Sequence, residues 1–315
     1  MVKRISFLFP GQGSQYIGMA KEASSASPKA AALLEQADRI MGFPLSRMMF
    51  EGPEEKLKET SITQPALFLA SAAALELVKE RGIKPEWVAG HSVGEYAALY
   101  AAGVLGFENA LRLVRARGEA MHEATQQTKG TMAAIIGLDS ARLTEICVLV
   151  SQNGEVCAPA NFNSGSQTVI AGTEKAVLMA MEKAKEAGAA KTVQLNVAGA
   201  FHSPLMSGAA QKMKTIIEST PFSKAITPVV TNVDAQLTID PDEFKRKLSQ
   251  QIDHPVRWEE SLKKLIAGGT DAFIEVGAGT VLSSMAKRLD RQKLVYATDD
   301  MPSIDKDFSL IADKN

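Results

Sequence analysis

The run Gly90-His91-Ser92-Val93-Gly94 has G-x-S-x-G spacing, which sets a serine on a sharp strand-to-helix turn. Glycine on either side permits backbone angles and close approaches that a Cβ would block. Such a serine can take an acyl group as an ester, and the N–H of Val93, at the start of the following helix, is the natural first donor to the oxyanion of the tetrahedral intermediate. A hydroxyl is a weak nucleophile, so a base must accompany it.

Four histidines compete for that role: His91, His122, His202 and His254. His91 adjoins the serine, and neighbours on a turn seldom face each other, so it is expected to pack or hydrogen-bond inside the elbow. His122 lies in a long helix between Glu119 and Glu123 and reads as a surface residue. His254 precedes Pro255 in a loop and is open to a structural or a site role. His202, in Ala198-Gly199-Ala200-Phe201-His202-Ser203-Pro204, follows a strand and precedes a helix that Ser203 can cap and Pro204 can start. It is the strongest candidate. No carboxylate near it announces a third triad member. Asp253 is one conceivable orienter, but a backbone carbonyl or an amide would serve, so a dyad is equally admissible.

These residues need a scaffold that brings them together. Ile5 to Phe9 and Trp87 to Ala89 read as short buried strands, and Pro228 to Val233, Ala272 to Val276 and Leu294 to Ala297 as later ones. Helical spacing runs through Ala30 to Met41, Pro65 to Val78, Phe107 to Ala124, Glu259 to Ala267 and Val281 to Arg288. The alternation predicts an α/β body with a short, mostly parallel sheet of the α/β-hydrolase-like kind. From Thr128 to Val197 the order changes to strand (Thr131 to Leu138), helix (Ser140 to Ser151), strands (Val156 to Phe162, Gln167 to Ala171), helix (Glu174 to Ala187) and strand (Lys191 to Val197). This βαββαβ order predicts a small ferredoxin-like domain at 128–197, inserted into a large domain formed by 1–127 and 198–315.

Composition sets outer limits. The 315 residues are 45% hydrophobic and 23% charged, as in ordinary globular chains, and the formal charge of -1 offers no basic field for nucleic acid or anionic membrane. The apolar run after Met1 is too short for a signal peptide, and no uninterrupted apolar stretch approaches a bilayer span. Cys147 and Cys157 lie outside metal or redox spacings, which fits a reducing, cytoplasmic compartment. Gly11-Gln12-Gly13 resembles a phosphate loop only by spacing, because Gly18 comes too late for G-x-G-x-x-G and no Gly-Lys-Ser/Thr follows.

Taken with Phe9-Pro10-Gly11-Gln12-Gly13-Ser14-Gln15, Thr63-Gln64-Pro65-Ala66, Arg115-Ala116-Arg117-Gly118, Met132 to Gly137, Asn161-Phe162-Asn163-Ser164, Asn232-Val233 and Glu275-Val276-Gly277, the elbow and the His202 segment resemble the malonyl-CoA:acyl carrier protein transacylases of type II fatty acid synthesis. Acyltransferase domains of polyketide synthases are related to them. The resemblance spans nearly the whole chain. It implies a ping-pong transfer: Ser92 takes malonyl from malonyl-CoA, and the phosphopantetheine thiol of acyl carrier protein removes it, with His202 as base and then acid.

The same resemblance puts the second oxyanion N–H on Gln12 and makes the main-chain carbonyl of Gln251 the orienter of His202. Phe201 resembles the pattern of malonyl-selective rather than methylmalonyl-selective members, its ring filling the space a branched α-carbon needs. Arg117 is assigned to the malonyl carboxylate, since a guanidinium offers two parallel donors and a permanent charge. It sits at three- or four-residue spacing from members of the apolar stripe Leu111, Val114, Gly118 and Met121, so it is expected inside, where a substrate carboxylate would be its counterion. Val93 replaces a common leucine, and Gly165-Ser166 a usual Pro-Gly turn. No metal or cofactor is expected, the partners are malonyl-CoA and acyl carrier protein, and the chain is expected to be a monomer. Lys191, Lys212 and Lys214 either meet the carrier or are simply solvated. A serine thioesterase, a freestanding polyketide-type acyltransferase and a non-catalytic carrier-docking protein are the competing readings.

Overall fold

The computed structural model describes residues 4–299. In chain order the strands are β1 (Ile5–Phe9), β2 (Trp87–Gly90), β3 (Thr131–Ile136), β4 (Cys157–Ser164), β5 (Gln167–Gly172), β6 (Lys191–Gln194), β7 (Val229–Val230), β8 (Leu237–Thr238), β9 (Ala272–Glu275) and β10 (Leu294–Ala297). Six of them form one sheet in the order β10-β9-β1-β2-β7-β8, parallel except for the β7–β8 pair at its edge. Both faces of β1 are buried, as a parallel sheet covered by helices requires. The other four form an antiparallel sheet in the order β4-β5-β3-β6, the ferredoxin-like arrangement expected from the βαββαβ order.

The antiparallel sheet has its own apolar cluster, built from Ala133, Ile135 and Ile170 against Leu143 and Ile146 of helix Ser140–Val150 and Val177 and Ala180 of helix Glu174–Glu186. It is also joined to the larger sheet's surroundings. Phe162 N–H donates to Val256 O at 2.9 Å, and Val256 N–H to Ala160 O at 2.9 Å.

Several elements end sooner than their sequence pattern. The expected strand from Pro228 to Val233 is cut to two residues because Thr231 O accepts from Ala235 N–H and Thr231 N–H donates to Gln236 O, closing a turn. β6, expected to run to Val197, stops at Gln194, so 195–199 are left as a loop. Ser203 does not cap a helix. Its hydroxyl donates to Ala200 O at 2.6 Å instead, and Pro204 opens a single 3-10 turn before helix Ser207–Ser219.

Helix Thr60–Glu80 is long and apolar enough to cross a bilayer, but 83% of its apolar window is buried inside the protein, as in a core helix. It packs on helix Phe107–Gln127 at Gly118, where an added Cβ would lie 3.0 Å from Thr60 O. That close crossing sets Gln64 and Arg117 face to face. Cys147 and Cys157, ten residues apart, bring their Sγ atoms to 3.6 Å, a contact their spacing conceals.

Candidate active site

β2 runs into the elbow and helix Gly94–Ala101 leaves it. Ser92, between them, has φ 53°, a left-handed conformation that few non-glycine residues adopt. The flanking glycines are obligatory for close approach. A Cβ on Gly90 would stand 2.0 Å from the backbone of Gly94, and one on Gly94 would stand 2.2 Å from Phe9 O. Asn232, just after β7, fixes the turn from outside: its Oδ1 accepts Ser92 N–H at 2.8 Å and its Nδ2 donates to Gly90 O at 2.7 Å.

Ser92 Oγ donates to His202 Nε2 at 2.7 Å. His202 Nδ1 donates to Gln251 O at 2.8 Å and to His254 O at 3.2 Å. Two carbonyl acceptors on Nδ1 define the tautomer, with the proton on Nδ1 and the lone pair on Nε2 facing the serine. Asp253, the carboxylate considered as orienter, is occupied elsewhere, 2.7 Å from His254 Nδ1. Burial, followed by the nearby Arg117 charge, pushes His202 down to about 3, so the imidazole is neutral.

Arg117 is 1% exposed. Nη1 donates to Gln64 Oε1 at 2.7 Å, while Nη2 donates to Gln251 Oε1 at 2.9 Å and to Ser92 Oγ at 3.2 Å. Among the described residues its Nε has no acceptor, and the guanidinium carbon lies 5.8 Å from the centre of the Tyr96 ring. Two neutral amides therefore hold a permanent cation, and no carboxylate touches it among the described residues.

A cavity of about 110 Å³ opens beside the serine, lined by Gln12, Ser92, Val93, Arg117, Phe201 and His202, with Met132 and Asn161 of the antiparallel sheet and Leu195 and Val197 just after it. Among the described residues, neither the Val93 nor the Gln12 N–H has a protein acceptor. The sequence-derived residues thus converge on one space, with Gln251 behind His202. His91 packs and hydrogen-bonds inside the elbow, as expected: Nε2 meets Asn163 Oδ1 at 3.0 Å, the ring packs edge-on against Trp258, and burial lowers its pKa. His122 is half-buried beside a second groove of about 630 Å³, which shares Gln12, Leu195 and Val197 with the cavity.

Asn232, Gln64 and Glu95 escaped the sequence reading as site residues, although each sits in a quoted motif or next to one. For Gln64 there was a local signal, a lone amide within an apolar helix. Glu95 is 1% exposed, and its Oε2 accepts from Gln251 Nε2 at 2.6 Å and from Asn232 N–H at 3.3 Å. Burial pushes its carboxyl up to about 7 against the lowering effects of these donors and of Arg117.

An elbow serine bound to a neutral histidine, on a parallel sheet, with a fixed cation beside it, defines a serine acyl-transfer enzyme. The chain belongs to the acyl transferase domain family, whose model matches residues 6–306, and within it to the malonyl CoA-acyl carrier protein transacylases. It is 44% identical to the malonyl CoA-acyl carrier protein transacylase of Bacillus subtilis over 314 residues, covering 100% of this chain and 99% of the relative. The transacylase structure from Coxiella burnetii superposes with a TM-score of 0.94 at 37% identity, covering 98% of each chain. A malonyl-transacylase solved in complex with a type II PKS acyl-carrier protein gives 0.94 and 37%, covering 98% of this chain and 100% of that one.

Proposed function

We propose that this chain moves malonyl from malonyl-CoA to the phosphopantetheine thiol of acyl carrier protein through a malonyl-Ser92 ester, in fatty acid synthesis. The observation that carries the reading is the buried Arg117 guanidinium, 3.2 Å from Ser92 Oγ and touched by no carboxylate among the described residues. A group small enough for the cavity and bearing a carboxylate beyond its thioester would complete that cation.

His202 Nε2 takes the Ser92 proton as Oγ attacks the thioester carbon, and the oxyanion is received by the Val93 and Gln12 N–H groups. The C–S bond breaks and the coenzyme A thiol leaves with the proton from His202. In the second half the carrier thiol gives its proton to His202, attacks the ester, and Ser92 recovers the proton. Arg117 also lowers the basicity of His202, so a substrate carboxylate on Arg117 lifts that restraint and makes the base stronger when the right acyl group is bound. Phe201, in the cavity wall, limits branching at the α-carbon.

The proposal includes no metal or prosthetic group of the chain's own, a monomeric state and a cytoplasmic setting. It takes 1–127 and 198–315 as the acyltransferase domain and 128–197 as an insert that walls the cavity. The complex of the related malonyl-transacylase with its carrier supports a carrier protein as acceptor. Intact mass after incubation with malonyl-CoA tests the reading: a stable malonyl adduct on Ser92, weaker with acetyl-CoA and methylmalonyl-CoA, is expected. Steady malonate release with no adduct would make the protein a thioesterase instead.

A further inference from the structure

Arg117 and Glu95 are both fully buried, yet they do not touch. Between them stands the Gln251 side chain, whose Oε1 accepts from Arg117 Nη2 at 2.9 Å and whose Nε2 donates to Glu95 Oε2 at 2.6 Å and to Ser92 O at 2.9 Å. A carboxylate only accepts, so it draws the NH2 side of Gln251 to itself and turns the carbonyl side to Arg117. The arrangement compensates the buried cation at one amide's remove while leaving the guanidinium fork open towards Ser92. A direct Arg117–Glu95 pair would occupy the place an incoming carboxylate needs.

This geometry has an electrostatic consequence. With Glu95 ionised, the empty site holds one positive and one negative charge. A carboxylate arriving on Arg117 adds a second negative charge to the same buried space, where uncompensated charge is costly. We infer that loading of the malonyl group is coupled to uptake of one proton by Glu95, so that the acyl carboxylate replaces Glu95 as the charge partner of Arg117. Glu95 is thereby a positioning residue that acts through Gln251 and does not meet the substrate. The proton comes from solvent. Acyl transfer itself exchanges none, because the Ser92 proton leaves on the coenzyme A thiol.

The inference rests on the Arg117 reading above and adds a partner to it. Among the described residues, the charged and titratable groups around Glu95 are Arg117 from the facing helix, Tyr96 beside it, and Asp234 after β7, which is ion-paired with Lys247 at 3.0 Å. His202 approaches Gln251 from its main-chain side. Of these, Tyr96 is raised to about 12, Asp234 is lowered because its hydrogen bonds together outweigh the raising effect of burial, and His202 lies near 3, which leaves Glu95, at about 7, as the group that titrates near neutrality.

The test is proton uptake by the intact protein on mixing with malonyl-CoA or acetyl-CoA in weakly buffered indicator solution between about pH 6 and 8.5, a range spanning the Glu95 transition. The malonyl reaction should take up a sizeable fraction of a proton per enzyme more than the acetyl reaction, greatest just above pH 7. The malonyl-to-acetyl ratio of kcat/KM should fall as pH rises through that range, since ionised Glu95 must be neutralised first. Glu95→Gln, an uncharged isostere, should abolish both the excess uptake and the pH dependence of the ratio. Equal uptake with the two substrates in the unaltered protein overturns the inference, whatever the variant does. Arg117→Ala separates the two claims. If it leaves the malonyl-to-acetyl ratio unchanged, the carboxylate site itself is wrong; if it collapses the ratio while uptake is equal, only the role of Glu95 fails.

Discussion

Ser92 and His202 meet at 2.7 Å from two loops far apart in the chain, and both hold left-handed backbone, with φ of 53° and 56°. Such conformations cost about 1–3 kcal/mol each for residues with a Cβ and persist only where the surroundings enforce them. Here the enforcement is visible. Asn232 holds Ser92 N–H, and His202 N–H donates to Ile252 O at 3.1 Å, one residue beyond the carbonyl that takes its ring. The nucleophile and base are thus fixed before substrate arrives. Ser92→Ala is expected to lose malonyl transfer by about 10⁴-fold or more, as on removing other serine nucleophiles. Intact mass should show no acyl adduct, and an adduct that persists on the variant would place the ester on another residue.

Arg117→Ala is expected to weaken malonyl transfer by about 3–5 kcal/mol, the range for removing one member of a buried charge pair. Acetyl transfer should fall far less, since acetyl brings no carboxylate to the fork. The measurement is kcat/KM for the two acyl-CoA substrates side by side. Equal losses would mean that Arg117 supports the fold or the serine, through its 3.2 Å contact with Oγ, and not the carboxylate.

Asn232→Ala removes both hydrogen bonds that straddle the elbow, to Ser92 N–H and Gly90 O. Leaving a buried acceptor such as Gly90 O unpaired costs about 1–3 kcal/mol, and the half-buried Ser92 N–H costs less. The variant is expected to melt several degrees lower and to acylate more slowly, because a loosened turn no longer aims Oγ at Nε2. Thermal unfolding and single-turnover acylation read the two effects. A variant with native melting and native acylation would show that the glycines alone hold the turn.

What the sequence disclosed follows from how local each signal is. Gly90 and Gly94 are demanded by contacts within a few residues or with β1, so their spacing around Ser92 is readable. Arg117 showed itself through its place on an apolar helical stripe. Gln251 entered by resemblance, for its carbonyl alone. Its side chain joins residues 134, 156 and 159 positions away, and no local pattern encodes such a bridge. Glu95 was hidden for the same reason, reading as a favourable acid in the first turn of a helix. Strand ends were lost where turns compete, as at Thr231, whose backbone bonds to Ala235 and Gln236 instead of continuing β7.

The pH dependence of acetyl transfer isolates His202, because acetyl brings no carboxylate to couple with Glu95. A histidine acts as base only when unprotonated. Its folded pKa, lowered from 6.5 to about 3 by burial first and Arg117 second, keeps it unprotonated well below the usual histidine range. The acidic limb of the rate therefore moves to lower pH, and kcat/KM for acetyl-CoA should stay level from about pH 5 to 8 while the fold persists. The same shift has a stability counterpart of definite sign. Because the folded state binds this proton less tightly than the unfolded one, His202 disfavours folding increasingly as pH falls from 6.5 to about 3, and favours neither state above 6.5. Replacing Arg117 by Ala removes the second cause, so the limb of that variant should move back towards neutrality. An acidic limb centred near 6.5 in the unaltered protein would show that His202 is wetter, or better compensated, than its 4% exposure and neighbouring guanidinium imply.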